Sequence, residues 1–131
     1  MAYTYKFVNK YNETIYIGYT GQTMAQRINQ HFTKGHLSKS VYEEVAKIEY
    51  IKHKTKSDAQ VWEVYLINKY KPRYNTLNKK NDMLTIDLGE ENWKVYQVLK
   101  QQVTKQKANW GCLTWVTIAG LIYAIYQFIT M

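Results

Sequence analysis

The stretch YTYKFVNKYNETIYIGY, residues 3–19, decides the fold. It begins and ends with runs rich in Tyr, Ile, Val and Phe, which are enriched in β-strands. The five residues between the runs, NKYNE at 9–13, include two asparagines, and asparagine suits tight turns. The stretch therefore predicts a β-hairpin.

A helix is predicted directly after the hairpin. Thr23 and Gln26 have the spacing of a capping box, in which two side chains satisfy backbone donors at the start of a helix. The apolar pattern then extends from about Met24 to Phe32, and Gly35 is available to end the helix.

Two more helices and one strand complete this part of the chain. Similar boxes at residues 40–43 (SVYE) and 57–60 (SDAQ) predict a short helix to about Lys47 and a longer one through about Tyr70, closed by the only proline. Between them, IEYIKHK at 48–54 reads as a third strand. The fold class is therefore α/β, a small three-stranded antiparallel sheet flanked by helices.

Positive charge is concentrated in the first eighty residues. Residues 1–80 carry fourteen basic side chains against six acidic ones and so hold the whole formal net charge of +8. Such an excess favours a polyanionic partner. The alternative is a solvated, lysine-rich surface. The single cysteine excludes an internal disulfide and a multi-cysteine zinc site.

One helix face and one interrupted apolar run carry candidate chemistry. Arg27 and His31 are four residues apart and so share a face, and Arg27 is one of only two arginines beside sixteen lysines. A planar guanidinium suits two-point binding of phosphate. Glu63 lies within VWEVYLI (61–67), where a carboxylate is costly to bury unless it is paired or binds a metal. With tyrosines from the strands, these groups would form a phosphodiesterase site with one hard metal ion, although each alone is typical of a helix surface.

Six positions together resemble the signature of the GIY-YIG nuclease family. They correspond to its two strand tyrosines, the arginine and histidine of its R-x3-H helix, its metal-binding glutamate and a later asparagine: Tyr5, Tyr16, Arg27, His31, Glu63 and Asn75. Ten residues separate the two tyrosines, the second of which opens YIG at 16–18. In the first block, Tyr3-Thr4-Tyr5 stands where the family has Gly-Ile-Tyr. The resemblance covers residues 3 to about 78.

The resemblance implies a metal-dependent endonuclease that hydrolyses DNA. Glu63 would hold one Mg²⁺ or Mn²⁺ ion. Tyr5 would be the general base for the attacking water, with its pKa lowered by the metal and Arg27. Arg27 would neutralise charge that grows on the scissile phosphate.

The remaining positions have supporting roles in this scheme. Tyr16 would orient water or phosphate, and His31 would bond phosphate or relay the tyrosine proton. Asn75 would hold the geometry of the site by hydrogen bonds, and the alternative role of Tyr16 and Asn75 is packing and turn formation. Contacts with the DNA backbone are expected from three residues just past the first helix: Lys34, His36 and Lys39.

The chain divides into three parts: the GIY-YIG-like domain at 1–80, a linker or packing segment at 81–109, and a single transmembrane helix at 110–131. In the second part, Trp93, Tyr96 and Val103 recur at helical spacing, so that a helix is predicted from about Glu90.

The third part has 22 residues and no charged side chain, which at about 1.5 Å per residue would cross a hydrocarbon core of about 30 Å. Lys105 and Lys107 precede it, and the positive-inside tendency then leaves the nuclease domain in the cytoplasm of a bacterium, on the inner membrane. Gly120 and Ala124 would let two such helices meet as a homo-oligomer. The alternative is a soluble apolar helix buried in an oligomer.

The sequence thus predicts a membrane-anchored endonuclease whose partners are DNA and the lipid bilayer. Its position at the membrane suggests that it cuts incoming phage or plasmid DNA, and the alternative is processing of DNA or RNA unrelated to entry. A rival interpretation is a non-catalytic, membrane-tethered DNA-binding protein with the same fold. A structural membrane adaptor is a third, which leaves the basic domain unexplained.

Overall fold

The computed structural model of the protein describes residues 1–76, 79 and 84–102. In chain order its elements are β1 (Ala2–Val8), β2 (Thr14–Thr20), α1 (Met24–Lys34), α2 (Lys39–Glu44), β3 (Lys47–His53), α3 (Lys56–Tyr70) and β4 (Lys94–Val98). The strands form one antiparallel sheet in the order β2-β1-β3-β4. The predicted α/β fold with an antiparallel sheet and flanking helices is confirmed.

The hairpin forms at the predicted residues. Asn9 organises its turn, because its side-chain oxygen accepts the backbone N–H groups of Tyr11 at 3.0 Å and Glu13 at 2.9 Å. Asn12 takes a left-handed conformation with φ of 62°, which asparagine tolerates better than most residues. The register sets Tyr5 opposite Gly18 on the two strands.

The first capping box is confirmed, and the other two predicted boxes are wrong. At α1, the Thr23 side chain accepts the Gln26 N–H at 3.2 Å, and Gly35 ends the helix with φ of 63°. Helix α2 begins after Ser38, two residues before the predicted cap, and ends at Glu44. Helix α3 begins after Thr55, whose hydroxyl accepts a backbone N–H at 3.1 Å. In each miss, an earlier Ser or Thr already ends the extended segment and starts the helix.

A fourth strand replaces the helix predicted from about Glu90. Residues Lys94–Val98 pair with β3, so that the sheet has four strands rather than three. Just beyond the strand, Ala46 accepts the N–H groups of Leu99 at 2.6 Å and Lys100 at 3.0 Å. All five residues of β4 are exposed. A strand with one buried face alternates apolar and polar residues, but neither face of β4 is buried. Its sequence therefore lacks this alternation, and the spacing of its apolar residues was mistaken for that of a helix.

The two faces of the sheet are covered by different helices. On the first face, α1 packs on a core cluster made of Tyr5, Phe7, Ile15, Met24, Ile28, Val45 and Ile48. On the second face, α3 packs on a smaller cluster made of Ile17, Ile51, Tyr65, Leu66 and Ile67. The sheet therefore stands between the helix that carries Arg27 and the helix that carries Glu63.

The predicted membrane span at 110–131 lies outside the described residues. Of the helices within the described ranges, none is both long and apolar enough to cross a membrane. Membrane attachment thus stays a prediction from the sequence.

Gly18 allows the ring of Tyr5 to lie across β2. A Cβ atom at position 18 would stand 2.5 Å from the Tyr5 hydroxyl oxygen and 2.6 Å from the ring carbon that bears it. Tyr5 is fully buried, so that the ring has no free space into which to move. The glycine of YIG is therefore required by the neighbouring tyrosine.

We expect Gly18→Ala to lower the free energy of unfolding by about 1–3 kcal/mol, the usual cost of forcing an extra methyl into a packed site. Gly21→Ala is the matched control, because its Cβ would meet only the Lys56 side chain at an ordinary 3.4 Å. Thermal unfolding followed by circular dichroism measures both. Equal stability of the two variants would show that Tyr5 does not pack on Gly18 as described.

Candidate functional site

The hydroxyl group of Tyr5 is the centre of the candidate site. Arg27 Nε donates a hydrogen bond of 3.0 Å to this oxygen, and His31 Nε2 lies 2.6 Å from it. Tyr5 comes from β1, whereas Arg27 and His31 lie one turn apart on α1. The first helix and the first strand thus meet at one phenolic oxygen.

His31 links this oxygen to a second tyrosine. Its Nδ1 atom lies 2.9 Å from the hydroxyl of Tyr42, and the same hydroxyl accepts the backbone N–H of Leu37 at 3.1 Å. Tyr42 was not among the site residues predicted from the sequence. Its only signal was its position in the predicted second helix, eleven residues after His31.

His31 is neutral over the physiological pH range. Burial, followed by the positive charge of Arg27 and the neighbouring His36, lowers its pKa to about 3. A neutral imidazole has one N–H donor and one acceptor nitrogen. The ring therefore donates to one of its two tyrosines and accepts from the other, which makes a continuous path of hydrogen bonds from Tyr5 to Tyr42.

Tyr5 is protonated in the isolated protein. Burial raises the pKa of its phenol well above the ordinary value, nearby Tyr16 raises it further, and Arg27 only partly opposes them. The expected lowering by Arg27 is therefore present but smaller than the effect of burial. Tyr5 can act as a base only if its hydroxyl proton passes to another group, and His31 Nε2, at 2.6 Å, can accept this proton.

Tyr16 stands beside this pair on β2. Its ring centroid lies 6.4 Å from that of Tyr5 and 5.8 Å from that of His31. Tyr16 is half-buried, and burial raises its pKa. Its hydroxyl is thus a neutral group beside the cluster.

Glu63 approaches from the other side of the sheet. On α3 it shares a stripe with the buried Ala59, Leu66 and Ile67, because these residues lie three or four positions away. Burial raises the pKa of its carboxyl group from 4.5 to about 7, and Arg27 opposes this rise. Among the residues that the structure describes, Glu63 has no salt-bridge partner.

A divalent cation would fit this carboxylate. Within the described residues there is no cluster of three or more His, Cys, Asp or Glu side chains. Glu63 would therefore be the one acidic ligand, and water and phosphate oxygens would complete the coordination, as is usual for Mg²⁺. A nearby cation would also offset the cost of ionising a half-buried carboxyl group.

Thr4 secures α3 one turn before Glu63. Its hydroxyl donates to the backbone carbonyl of Ala59 at 2.9 Å and accepts from His53 Nε2 at 2.9 Å. Thr4 is the residue that differs from the family's Ile. The hydroxyl that Thr4 has in place of the isoleucine side chain thus bonds to α3, the helix that carries the candidate metal ligand.

Asn75 fastens the segment after α3 to β2. Its side-chain oxygen accepts the N–H of Ile17, and its amide nitrogen donates to the carbonyl of the same residue, both at 2.8 Å. Ile17 lies between Tyr16 and Gly18, so that Asn75 supports the strand that carries them. It acts on the site through the backbone rather than from within the cluster.

The three candidate DNA contacts lie at the α1–α2 connection. Lys34 ends α1, Lys39 begins α2, and both are exposed. His36 lies 3.4 Å from Arg27 Nη1, and its ring centroid is 5.4 Å from that of His31. His36 is therefore closer to the candidate site than the sequence analysis expected.

The chain matches the model of the GIY-YIG catalytic domain over residues 1–81. It is similar to UvrABC system protein C from Mycoplasma capricolum, with 28% identity over 83% of this chain and 19% of that protein. The corresponding protein of Clostridium novyi shows 37% identity over 82% of this chain and 17% of that protein. The chain thus spans about a fifth of the length of the curated relatives it matches.

A solved structure is also similar. It is the GIY-YIG N-terminal endonuclease domain of UvrC from Thermotoga maritima, bound to its catalytic divalent cation, magnesium. The TM-score is 0.50 at 29% identity, and the match covers 57% of this chain and 83% of that domain.

The raised pKa of Glu63 predicts a stability difference that depends on pH. An unfolded chain releases this proton near pH 4.5, whereas the folded chain holds it to about pH 7. Between these values the folded state binds more protons, so that the contribution of Glu63 to stability falls as pH rises. We therefore expect Glu63→Gln, in EDTA, to exceed wild type in melting temperature by a margin that grows from about pH 5 to about pH 8.

Comparison with wild type removes the opposite contribution of His31, because both proteins contain it. Added Mg²⁺ should raise the melting temperature of wild type above pH 7 and leave the variant unchanged. A margin that stays constant across this pH range would contradict the assigned burial of Glu63.

Proposed function

Because the chain belongs to the GIY-YIG catalytic domain family, we propose that it is an endonuclease that hydrolyses DNA phosphodiester bonds with one divalent cation, Mg²⁺ or Mn²⁺. The observation that carries this proposal is the phenolic oxygen of Tyr5, held between Arg27 Nε and His31 Nε2 at 3.0 Å and 2.6 Å. The half-buried carboxyl group of Glu63 and the net charge of +8 support it.

Glu63 would hold the metal ion, which supplies charge neutralisation at the phosphate and an acidified water. Arg27 would bind the scissile phosphate. Its Nε donates to Tyr5, and its Nη1 makes a long contact of 3.4 Å with His36, so that the two Nη groups would be the ones to bind phosphate. The planar guanidinium of Arg27 would therefore hold the Tyr5 hydroxyl and the phosphate in a fixed relative position.

Tyr5 would take a proton from the attacking water as its own proton passes to His31 Nε2. This transfer requires the tautomer in which His31 Nδ1 carries the hydrogen and donates it to Tyr42. Release of that Nδ1 proton to the Tyr42 oxygen would keep the imidazole neutral, and the half-buried Tyr42 would give its own hydroxyl proton to solvent. The ring must stay neutral because its pKa of about 3 disfavours an imidazolium ion.

Glu63→Gln tests the proposal directly. We expect the variant to lose Mg²⁺-dependent cleavage of plasmid DNA while it keeps its fold, because the amide is a poor metal ligand. Glu13→Gln, at an exposed position in the hairpin turn, is the matched control and should cleave at the wild-type rate. Agarose gels with and without EDTA measure both. DNA binding by wild type without any cleavage would favour the non-catalytic DNA-binding alternative.

Arg27→Lys should reduce the cleavage rate at saturating DNA by about 10²-fold or more, the scale of losing one transition-state donor. Lysine keeps the charge but loses the planar group that joins Tyr5 to the phosphate. Arg73→Lys is the natural control, because Arg73 is the other arginine, is exposed, and pairs with Glu44 at 3.3 Å. A rate within a few-fold of wild type would remove Arg27 from the catalytic group.

We further propose that residues 110–131 anchor the protein in the bacterial inner membrane, where it cuts phage or plasmid DNA as this DNA enters. The length and lack of charge of this segment support the proposal. Full-length protein and a form that ends at Asn109 are expressed and compared by membrane fractionation and by challenge with injected and with induced phage DNA. Protection should require both residues 110–131 and Glu63. Equal protection by the shortened form would contradict the anchor.

A further inference from the structure

Three tyrosines from neighbouring strands form a row on the α1 face of the sheet. Tyr3 of β1 meets Tyr50 of β3 with ring centroids 5.8 Å apart, and Tyr50 meets Tyr96 of β4 at 6.4 Å. Both contacts are edge-to-face, at 73° and 79°. Tyr96 has no strand partner in the register of β3 and β4, so that it occupies an irregularity that sets its ring beside Tyr50. We call these three residues the tyrosine row.

The tyrosine row begins at the edge of the core cluster that α1 covers, because Tyr3 and Tyr50 pack partly against that cluster. Rings from α1 and α2 contact Phe7, which lies 5.2 Å from His31 and 6.3 Å from Tyr42. Tyr3 is four residues from Phe7, which corresponds to about 13 Å along the strand. Tyr96 is 37% exposed, and the other two members of the row are half-buried. This end of the sheet therefore presents the ring of Tyr96 to solvent, with two half-buried rings beside it.

Two lysines flank the row on the same face. Lys52 is directly opposite Tyr3, and Lys94 is directly opposite Tyr50, and opposed residues of antiparallel strands share a face. Both lysines are exposed. Within the described residues neither has an acidic partner, so that their charges are available to an anion.

The row is continuous with the candidate active site. Tyr3 and Tyr5 lie on the same strand and the same face, two residues and about 7 Å apart. Tyr3 also occupies the position where the family signature has glycine. The side chain of Tyr3, which the family signature lacks, thus lies between Tyr5 of the candidate site and the rest of the tyrosine row.

We infer that this surface binds an unpaired segment of the DNA substrate, with bases stacked on the tyrosine row and phosphates against the two lysines. The inference rests on the proposed function and extends it to the form of the substrate. Bases in a duplex already stack on one another, so that aromatic side chains stack only on unpaired bases. Aromatic rings on an open four-stranded sheet bind unpaired bases in this way in RNA-recognition modules.

Charge distinguishes DNA from the other occupants of such a surface. A second copy of the chain would bring its own Lys52 and Lys94 against the same residues, and like charges across an interface are unfavourable. A polyanion with exposed π faces is complementary to both features. The preferred substrate would therefore carry a single strand next to the scissile bond.

Fluorescence anisotropy of the full chain in detergent and EDTA tests the inference. The probes are a labelled oligothymidylate and a labelled duplex, and the variants are Tyr96→Ala and Lys52→Gln/Lys94→Gln. Tyr11→Ala and Lys10→Gln are matched controls, because both residues lie in the hairpin turn and are exposed. Tyr96→Phe keeps the ring and should bind as wild type does, which separates lost stacking from a lost hydroxyl.

Tyr96→Ala should weaken oligothymidylate binding by about fivefold or more and leave duplex binding unchanged. The double lysine variant should lower the salt dependence of single-strand binding. No binding of oligothymidylate by wild type, equal loss on both probes, or a change in sedimentation instead of affinity would overturn the inference. Cleavage of duplex DNA in Mg²⁺ is measured separately, so that failure of the nuclease proposal is distinguishable from failure of this surface.

Discussion

The site depends on the contact between the ring of Tyr5 and the backbone of Gly18. Because no Cβ intervenes, the phenol crosses β2 and its oxygen reaches both Arg27 Nε and His31 Nε2. The hairpin register decides which residue lies beneath the ring, and a shift by one residue would turn the tyrosine to the α3 face. The geometry of the candidate site and the pairing of the strands therefore depend on the same register. This explains why a short tyrosine-glycine motif is informative about a whole domain.

Burial shifts the pKa values of the candidate site residues in the direction that favours their neutral forms. It raises the pKa values of Tyr5 and Glu63 and lowers that of His31, so that each group is held in its neutral form or close to it. Arg27 is the fixed charge beside all three. A pKa of about 7 leaves Glu63 partly ionised at neutral pH, and a bound cation would complete its ionisation. The same burial favours proton movement along neutral hydrogen-bonding partners.

Local signals predicted the hairpin, α1 and the later helix, because turn asparagines, a capping box and apolar spacing act within a few residues. The candidate site residues followed from family resemblance together with the scarcity of arginine. Strand β4 was missed because its stability comes from hydrogen bonds to β3, some fifty residues earlier in the chain, and its exposed side chains carry no alternation. Tyr42 was missed for a similar reason. Its importance comes from a contact with His31 on another helix, which no spacing reveals.

The segment after α3 has a consequence for how the protein behaves in concentrated solution. Tyr74 donates its N–H to the Ile15 carbonyl at 3.1 Å, and the Asn75 side chain bonds both backbone groups of Ile17 at 2.8 Å. These bonds occupy three backbone groups on the outer side of β2, which is an edge strand. An uncovered edge offers a template for intermolecular pairing and aggregation. One carboxamide, which bonds as a neighbouring strand would, therefore covers part of the edge at which a second chain could otherwise add a strand.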